Sequence, residues 1–316
     1  MFSKACAANK VAGFHFLQGD IPAAAGICCI GAAGRKTAAG SRVHRTCQFA
    51  AHDLGGKLFG LQAGDGHSIQ QTLGIGVERI LEQILGLGIS LPGIVDPVQK
   101  MITYSHALGV RDLPFGEIQS YFPWHCTFLN DANAGAFAEG IGSDLPSSFF
   151  YLSLSNTVGG AIFHDGNLLP GDAFRCGEAG HMTLIPNGKP CYCGKTGCVD
   201  AYCSARLLSD LSGRRLEDFF LGLQQNNPDY RSVWDTYLEH LAVVINNLHM
   251  ILDYDIVLGG YVGSFLTPWL DTIRHLVAER NTFEDDGSFV KLCTYQTGAA
   301  AYGAAMDVME GFLRTV

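Results

Sequence analysis

From Ser68 to Leu85 (SIQQTLGIGVERILEQIL) apolar residues recur at helical spacing behind a serine suited to capping, which predicts an amphipathic helix. Leu87 to Val95 (LGISLPGIV) is an apolar run that predicts a buried strand ending in Pro92-Gly93-Ile94-Val95-Asp96. Trp124 to Asn130 and Phe149 to Ser155 predict two more strands. The first runs into a helix over 132–139, the second into Asn156 to Phe163 and a hairpin turn at Asp165-Gly166. Farther along, Leu216 to Leu223 and Val233 to Leu252 carry helical periodicity, and Asp255 to Leu258 predicts a strand entering the turn Gly259-Gly260. A helix is predicted from Thr267 to Arg280, with Thr267 as cap and Pro268 first, then a strand from Val290 to Tyr295 and a last helix from Ala299 to Phe312. Upstream, Gln48 to Ala63 reads as a hairpin turning at Asp53-Leu54-Gly55-Gly56, whereas residues 1–48 follow neither the helical nor the strand period. Strands alternating with helices in this way support an α/β fold with a mixed or parallel sheet. No internal repeat is visible.

Composition narrows the class. A chain of 316 residues is long enough for two domains with cores of their own. Hydrophobic content of 47% against 16% charged describes a globular protein and excludes a disordered one. The net charge of −9, with no run of lysine and arginine, argues against a nucleic-acid surface. No apolar stretch approaches the ~18–20 residues of a membrane span, and no clear signal peptide is present. The 11 cysteines are odd in number and clustered, which points to a cytoplasmic protein with reduced thiols and a metal site.

That site is expected in the loop 177–203. His181 precedes Cys191, Cys193 and Cys198, and one imidazole with three thiolates completes a tetrahedral set for structural Zn²⁺. Gly194 and Gly197 permit the tight turns such a site needs. Reduced thiols or disulfide partners are the plainer alternatives. Four ligand-type residues within eighteen positions, with turn glycines among them, favour zinc.

The sequence G-E-x-G-H followed by C-x-C-G-x-x-G-C resembles the signature of the ROK family of sugar kinases and sugar-responsive repressors. The resemblance implies a two-domain actin-like ATPase (ribonuclease H-like) fold with a cleft between the domains, here residues 1–130 and 131–316. It also implies a sugar and ATP as ligands, Mg²⁺, and a homodimer. Asp131, in Asn130-Asp131-Ala132-Asn133-Ala134, matches the aspartate that takes the proton from the attacking sugar hydroxyl, and Asn130 matches a sugar-binding asparagine. The bland reading of Asp131 is a helix cap. Gly93 lies in a loop resembling the family's P-G-x-V-D beside the sugar, and Glu178 and His181 match residues that place the zinc loop against it. Asp200 stands where the family has a glutamate, one methylene longer. Gly159 and Gly160 match part of a glycine loop at the ATP phosphates, although a structural glycine pair would look the same, and Gly259 and Gly260 match a turn near the adenosine.

The departures matter. The nearest match to the family's first phosphate loop is Cys28 to Ala33, where Cys29 replaces an aspartate that helps hold Mg²⁺; a hard cation prefers oxygen. The glycine-containing stretch Gly31 to Lys36 is weak evidence of anion binding, and an irregular start or reading frame upstream of Gln48 is one account of the break in texture there. The expectation is therefore an ATP-dependent hexose or N-acetylhexosamine kinase. The alternative is a non-catalytic sugar sensor related to repressors; residues 1–48 are too short and wrongly patterned for a winged helix-turn-helix. A third reading is a kinase inactivated by damage to its first strand.

Overall fold

The computed structural model describes residues 28–34, 49–51 and 84–314. The described residues divide into two compact units, one running to Ala138 and resuming at Ala300, the other spanning Glu139–Ala299. That division differs from the expected 130/131 boundary. Asn130 to Ala138 stay with the first unit because the helix Asp131–Gly142 leads directly out of its last strand. The final helix, Ala299–Leu313, belongs there too from Ala300 onward, with Gly303 set directly against the Ala134 carbonyl.

In the first unit, strands β1 (Cys28–Gly34), β2 (Phe49–Ala51), β3 (Ile84–Leu91) and β7 (Cys126–Asn130) form a sheet ordered β2-β1-β3-β7. The β3–β7 pair is parallel and the β1 pairs are antiparallel. A separate antiparallel sheet joins β4 (Ile94–Asp96), β5 (Met101–Ser105) and β6 (Val110–Pro114). The predicted strand over Leu87–Val95 is thus two strands in two sheets, because Pro92-Gly93 breaks the ladder and Gly93 takes φ 121°. Of the helix predicted from Ser68 to Leu85, residues through Gln83 lie outside the described residues, and Ile84 and Leu85 instead begin β3. The turn expected at Asp53 to Gly56 also lies outside them. Cys28 to Gly34 is ladder strand, paired in register from Cys29↔Ser90 to Ala33↔Gly86 with a shift before Gly34↔Ile84, so Gly31 to Gly34 are strand residues and not an open phosphate loop. Leu87, Ile89, Leu91, Ile102 and Phe128 form this unit's core.

The second unit is built on a sheet ordered β10-β9-β8-β11-β12: β8 (Phe149–Leu154), β9 (Val158–His164), β10 (Asn167–Leu168), β11 (Asp255–Gly259) and β12 (Val290–Leu292). β8, β11 and β12 run parallel, and β9 and β10 continue antiparallel. Every residue of β8 is buried, Ser153 included, as suits a central strand covered on both faces. The helix Pro228–Leu252 covers it with Trp234, Tyr237, Leu241 and Ile245. This helix starts five residues before the apolar periodicity does. Its first turn is polar, and it is set by Asn227, whose Oδ1 accepts from Asp229 N at 3.0 Å and Tyr230 N at 3.3 Å, with Pro228 at the first position. Thr267, expected to cap a helix to Arg280, lies in a 3-10 turn without a side-chain cap, and the α-helix is Leu270–Ala278.

Candidate functional site

In the first unit, β7 delivers Asn130 and Asp131 to the start of the helix Asp131–Gly142. Asn130 does the capping that the sequence suggested for Asp131. Its Oδ1 accepts from Ala132 N at 2.9 Å and Asn133 N at 3.0 Å, while its Nδ2 donates to the Gly93 carbonyl at 2.9 Å. Asn130 thereby ties the helix start to the Pro92-Gly93 turn and brings these two predicted residues together. Asp131 Oδ1 accepts from Ala132 N at 2.9 Å. Asp131 thus lies in the first turn, at the positive end of the helix. Asp96 folds back on its own turn, Oδ1 accepting from Val98 N at 2.9 Å and Gln99 N at 2.8 Å.

In the second unit the four residues expected to hold metal converge. One ligand atom from each of His181, Cys191, Cys193 and Cys198 lies within 4.8 Å of every other. The Cys193 and Cys198 sulfurs are 3.8 Å apart and neither is in a disulfide. That separation equals the tetrahedral edge of about 3.8 Å set by zinc–sulfur bonds near 2.3 Å. Gly194 and Gly197 take φ 84° and 81°, closing the loop through Cys191 N→Lys195 O at 2.8 Å and Gly197 N→Lys189 O at 2.8 Å. Burial works against ionising Cys193, but the Lys195 N–H and the Cys191 and Cys198 thiols still hold it below the ordinary thiol value. Burial pushes Cys191 up to about 12, and it lowers His181, keeping the imidazole in the neutral form that ligates. The donor set and spacing fit a tetrahedral Zn²⁺. Cys203, outside the set, is buried in the short helix Asp200–Cys203.

Glu178 precedes the 3-10 turn Ala179–His181, and burial raises its carboxyl against the opposing charge of Arg175. The predicted glycines meet this stretch from the sheet. A Cβ on Gly160 would lie 2.6 Å from the Gly177 carbonyl, and one on Gly177 would lie 2.5 Å from that of Gly160, so the start of the cysteine loop rests backbone to backbone on β9. Gly160 therefore has a packing role. Gly159, Ser153 and Gly259 form one row across three strands by the pairings Ser153↔Gly159 and Gly259↔Ser153. Gly260 (φ 76°) follows beside Ser155 Oγ. The row lies at the carboxyl ends of β8 and β11, where α/β sheets take ligands, with Gly159 and Gly259 on either side of Ser153.

Asp200 has a partner that sequence reading missed. Its Oδ2 accepts from Val158 N at 2.6 Å. Burial raises its carboxyl to about 6, opposed by that N–H and by Arg206. The only sequence signal was the shortening from glutamate to aspartate, which alters reach and does not reveal the partner.

The chain matches the ROK family over residues 67–310 and belongs to it. It is 28% identical over 262 residues to a glucokinase of Halalkalibacterium halodurans, covering 74% of this chain and 79% of that protein. It is 33% identical over 194 residues to a xylose repressor of Bacillus spizizenii, covering 60% of this chain and 46% of the repressor, so it spans less than half of that protein. Its fold is similar to that of a ROK glucokinase from Streptomyces griseus solved with glucose and AMPPNP (TM-score 0.68, 20% identity, 90% of this chain and 100% of that one). The architecture is accordingly the actin-like ATPase fold of the ROK sugar kinases. Among the described residues no helix is long and apolar enough to cross a membrane.

Proposed function

We propose that this protein is an ATP-dependent kinase for a hexose or N-acetylhexosamine, with Asp131 as general base. The observation that carries the reading is the Asn130–Asp131 junction. There a capped helix N-terminus carries a carboxylate at the end of a parallel strand, where a general base needs to stand. Asp131 would draw the proton from the sugar hydroxyl as that oxygen attacks phosphorus. Asn130 and Gly93 would hold the loop that contacts the sugar.

In the second unit Zn²⁺ on His181, Cys191, Cys193 and Cys198 would be structural, fixing the loop that carries Glu178 as a sugar contact. Asp200, engaged with Val158, would act on the sugar mainly by holding β9 in place. Gly159, Gly259 and Gly260 would let ATP approach the backbone at the carboxyl ends of β8 and β11. ATP would supply the transferred phosphoryl group and Mg²⁺ the charge neutralisation. The thiol of Cys29 does not fit that hard cation. This misfit, with the continuous strand through Gly34, supports the second reading, a sugar sensor that does not turn over ATP.

Coupled ADP release from Mg·ATP over a panel of hexoses and N-acetylhexosamines, with Asp131→Asn alongside, tests the reading. Turnover on one sugar, abolished in Asp131→Asn while sugar-dependent thermal stabilisation remains, is the expected result. Stabilisation by sugar without turnover in the unmodified protein means a sensor, and equal turnover by both proteins removes Asp131 as the base.

A further inference from the structure

Behind the long helix of the second unit lies a second group of metal-ligating side chains, apart from the cysteine loop in sequence and in chemistry. His249, in the last turn of the helix Pro228–Leu252, is buried and stacked on Phe289 with ring centroids 3.6 Å apart. Its Nδ1 lies 2.8 Å from the Tyr254 carbonyl oxygen. A carbonyl only accepts, so Nδ1 carries a proton and Nε2 is the atom left to ligate. Nε2 faces Glu284 Oε1 at 3.4 Å. Asp253, which ends the helix at φ 55°, completes the group, with one ligand atom from each of the three residues within 4.8 Å of the others.

Two features of this group point to a cation. His249 Nε2 and Glu284 Oε1 stand 3.4 Å apart, a contact that calls for a positive species between them, either a proton or a metal ion. The other oxygen of the same carboxylate, Glu284 Oε2, is shielded from solvent and has no hydrogen-bond partner among the described residues, which is costly for a polar atom. The spacing also suits a metal. Bonds of about 2.1 Å to nitrogen and oxygen at tetrahedral angles put ligand atoms about 3.4 Å apart, which is the Nε2–Oε1 distance.

We propose that His249 Nε2 and the carboxylates of Asp253 and Glu284 form a binding site for a borderline divalent cation of the zinc–cobalt–manganese type. One imidazole and two carboxylates suit that class better than a soft thiophilic ion or calcium. Asp253 is exposed, so the remaining coordination positions face solvent and are open to water or an anionic ligand. A proton on Nε2, making a plain imidazolium–carboxylate pair, is the competing explanation that the experiment has to separate.

Full-length protein carrying a single equivalent of zinc per chain, in the cysteine loop, is titrated with Co²⁺ and followed by calorimetry and visible absorption. The expected result is one further equivalent of cobalt with the weak absorption of a nitrogen–oxygen site and no thiolate charge-transfer band. Glu284→Gln and Asp253→Asn should each weaken it by at least the roughly ten-fold that even an outer-shell partner costs. Neither variant should unfold: both are isosteric, and asparagine tolerates the left-handed backbone at 253. No additional equivalent, a charge-transfer band accounting for all the cobalt bound, or unchanged affinity in both variants would each overturn the proposal.

Discussion

The backbone N–H of Val158 donates to Asp200 Oδ2 over 2.6 Å, joining the first residue of β9 to a side chain 42 positions later, just past the cysteine loop. Val158 is buried, so no water can replace that acceptor. Asp200→Ala should therefore cost about 1–3 kcal/mol by stranding the donor. Asp200→Asn keeps an oxygen in place and should fall much closer to the unmodified protein. Urea unfolding of the three proteins measures this, and equal stabilities would show that the contact does not hold β9.

The Cys193–Cys198 separation and the convergence of His181 and Cys191 make metal content a direct readout. Elemental analysis should find zinc at one per chain in this loop, and Cys193→Ser should lose it and unfold at lower temperature, since binding energy at a closed site is folding energy. A metal-free protein of undiminished stability would remove zinc from the loop.

Glu139 is fully buried, and its Oε1 accepts from Thr294 N at 2.7 Å and Tyr295 N at 2.9 Å. Burial pushes its carboxyl above the ordinary value of 4.5, and those N–H groups only partly oppose it. With the folded value above the unfolded one, the folded state keeps a proton that the unfolded state has already lost. Its contribution is therefore greatest below 4.5 and is lost as pH rises through the folded value. Glu139→Gln, uncharged at every pH, should flatten this part of the profile and gain on the unmodified protein as pH rises. Urea midpoints at pH 4.5, 6 and 8 check the sign, and parallel profiles for the two proteins would refute it.

Much of this protein is legible without coordinates because the signals are local. The alternation of apolar runs and helical periods determined most of the element order after Leu87, and the spacing from His181 to Cys198 determined a four-ligand set, because ligands close in sequence need only a tight loop to meet. Asn130-Asp131 was legible as a strand-to-helix junction, and as a family motif, for the same reason. Where local rules competed, reading failed by small shifts: Pro92-Gly93 split one predicted strand into two sheets, and a polar first turn hid the start of the helix at Pro228.

What the tertiary structure alone decided are the pairings between distant residues. The Val158–Asp200 bond, the Gly160–Gly177 backbone contact, the row Gly159–Ser153–Gly259 and the His249–Glu284 pair each depend on strand register or on a chain crossing. A single substitution pattern leaves no trace of these, because side-chain chemistry states what a residue can bind and only the packed fold states what lies within 3 or 4 Å of it.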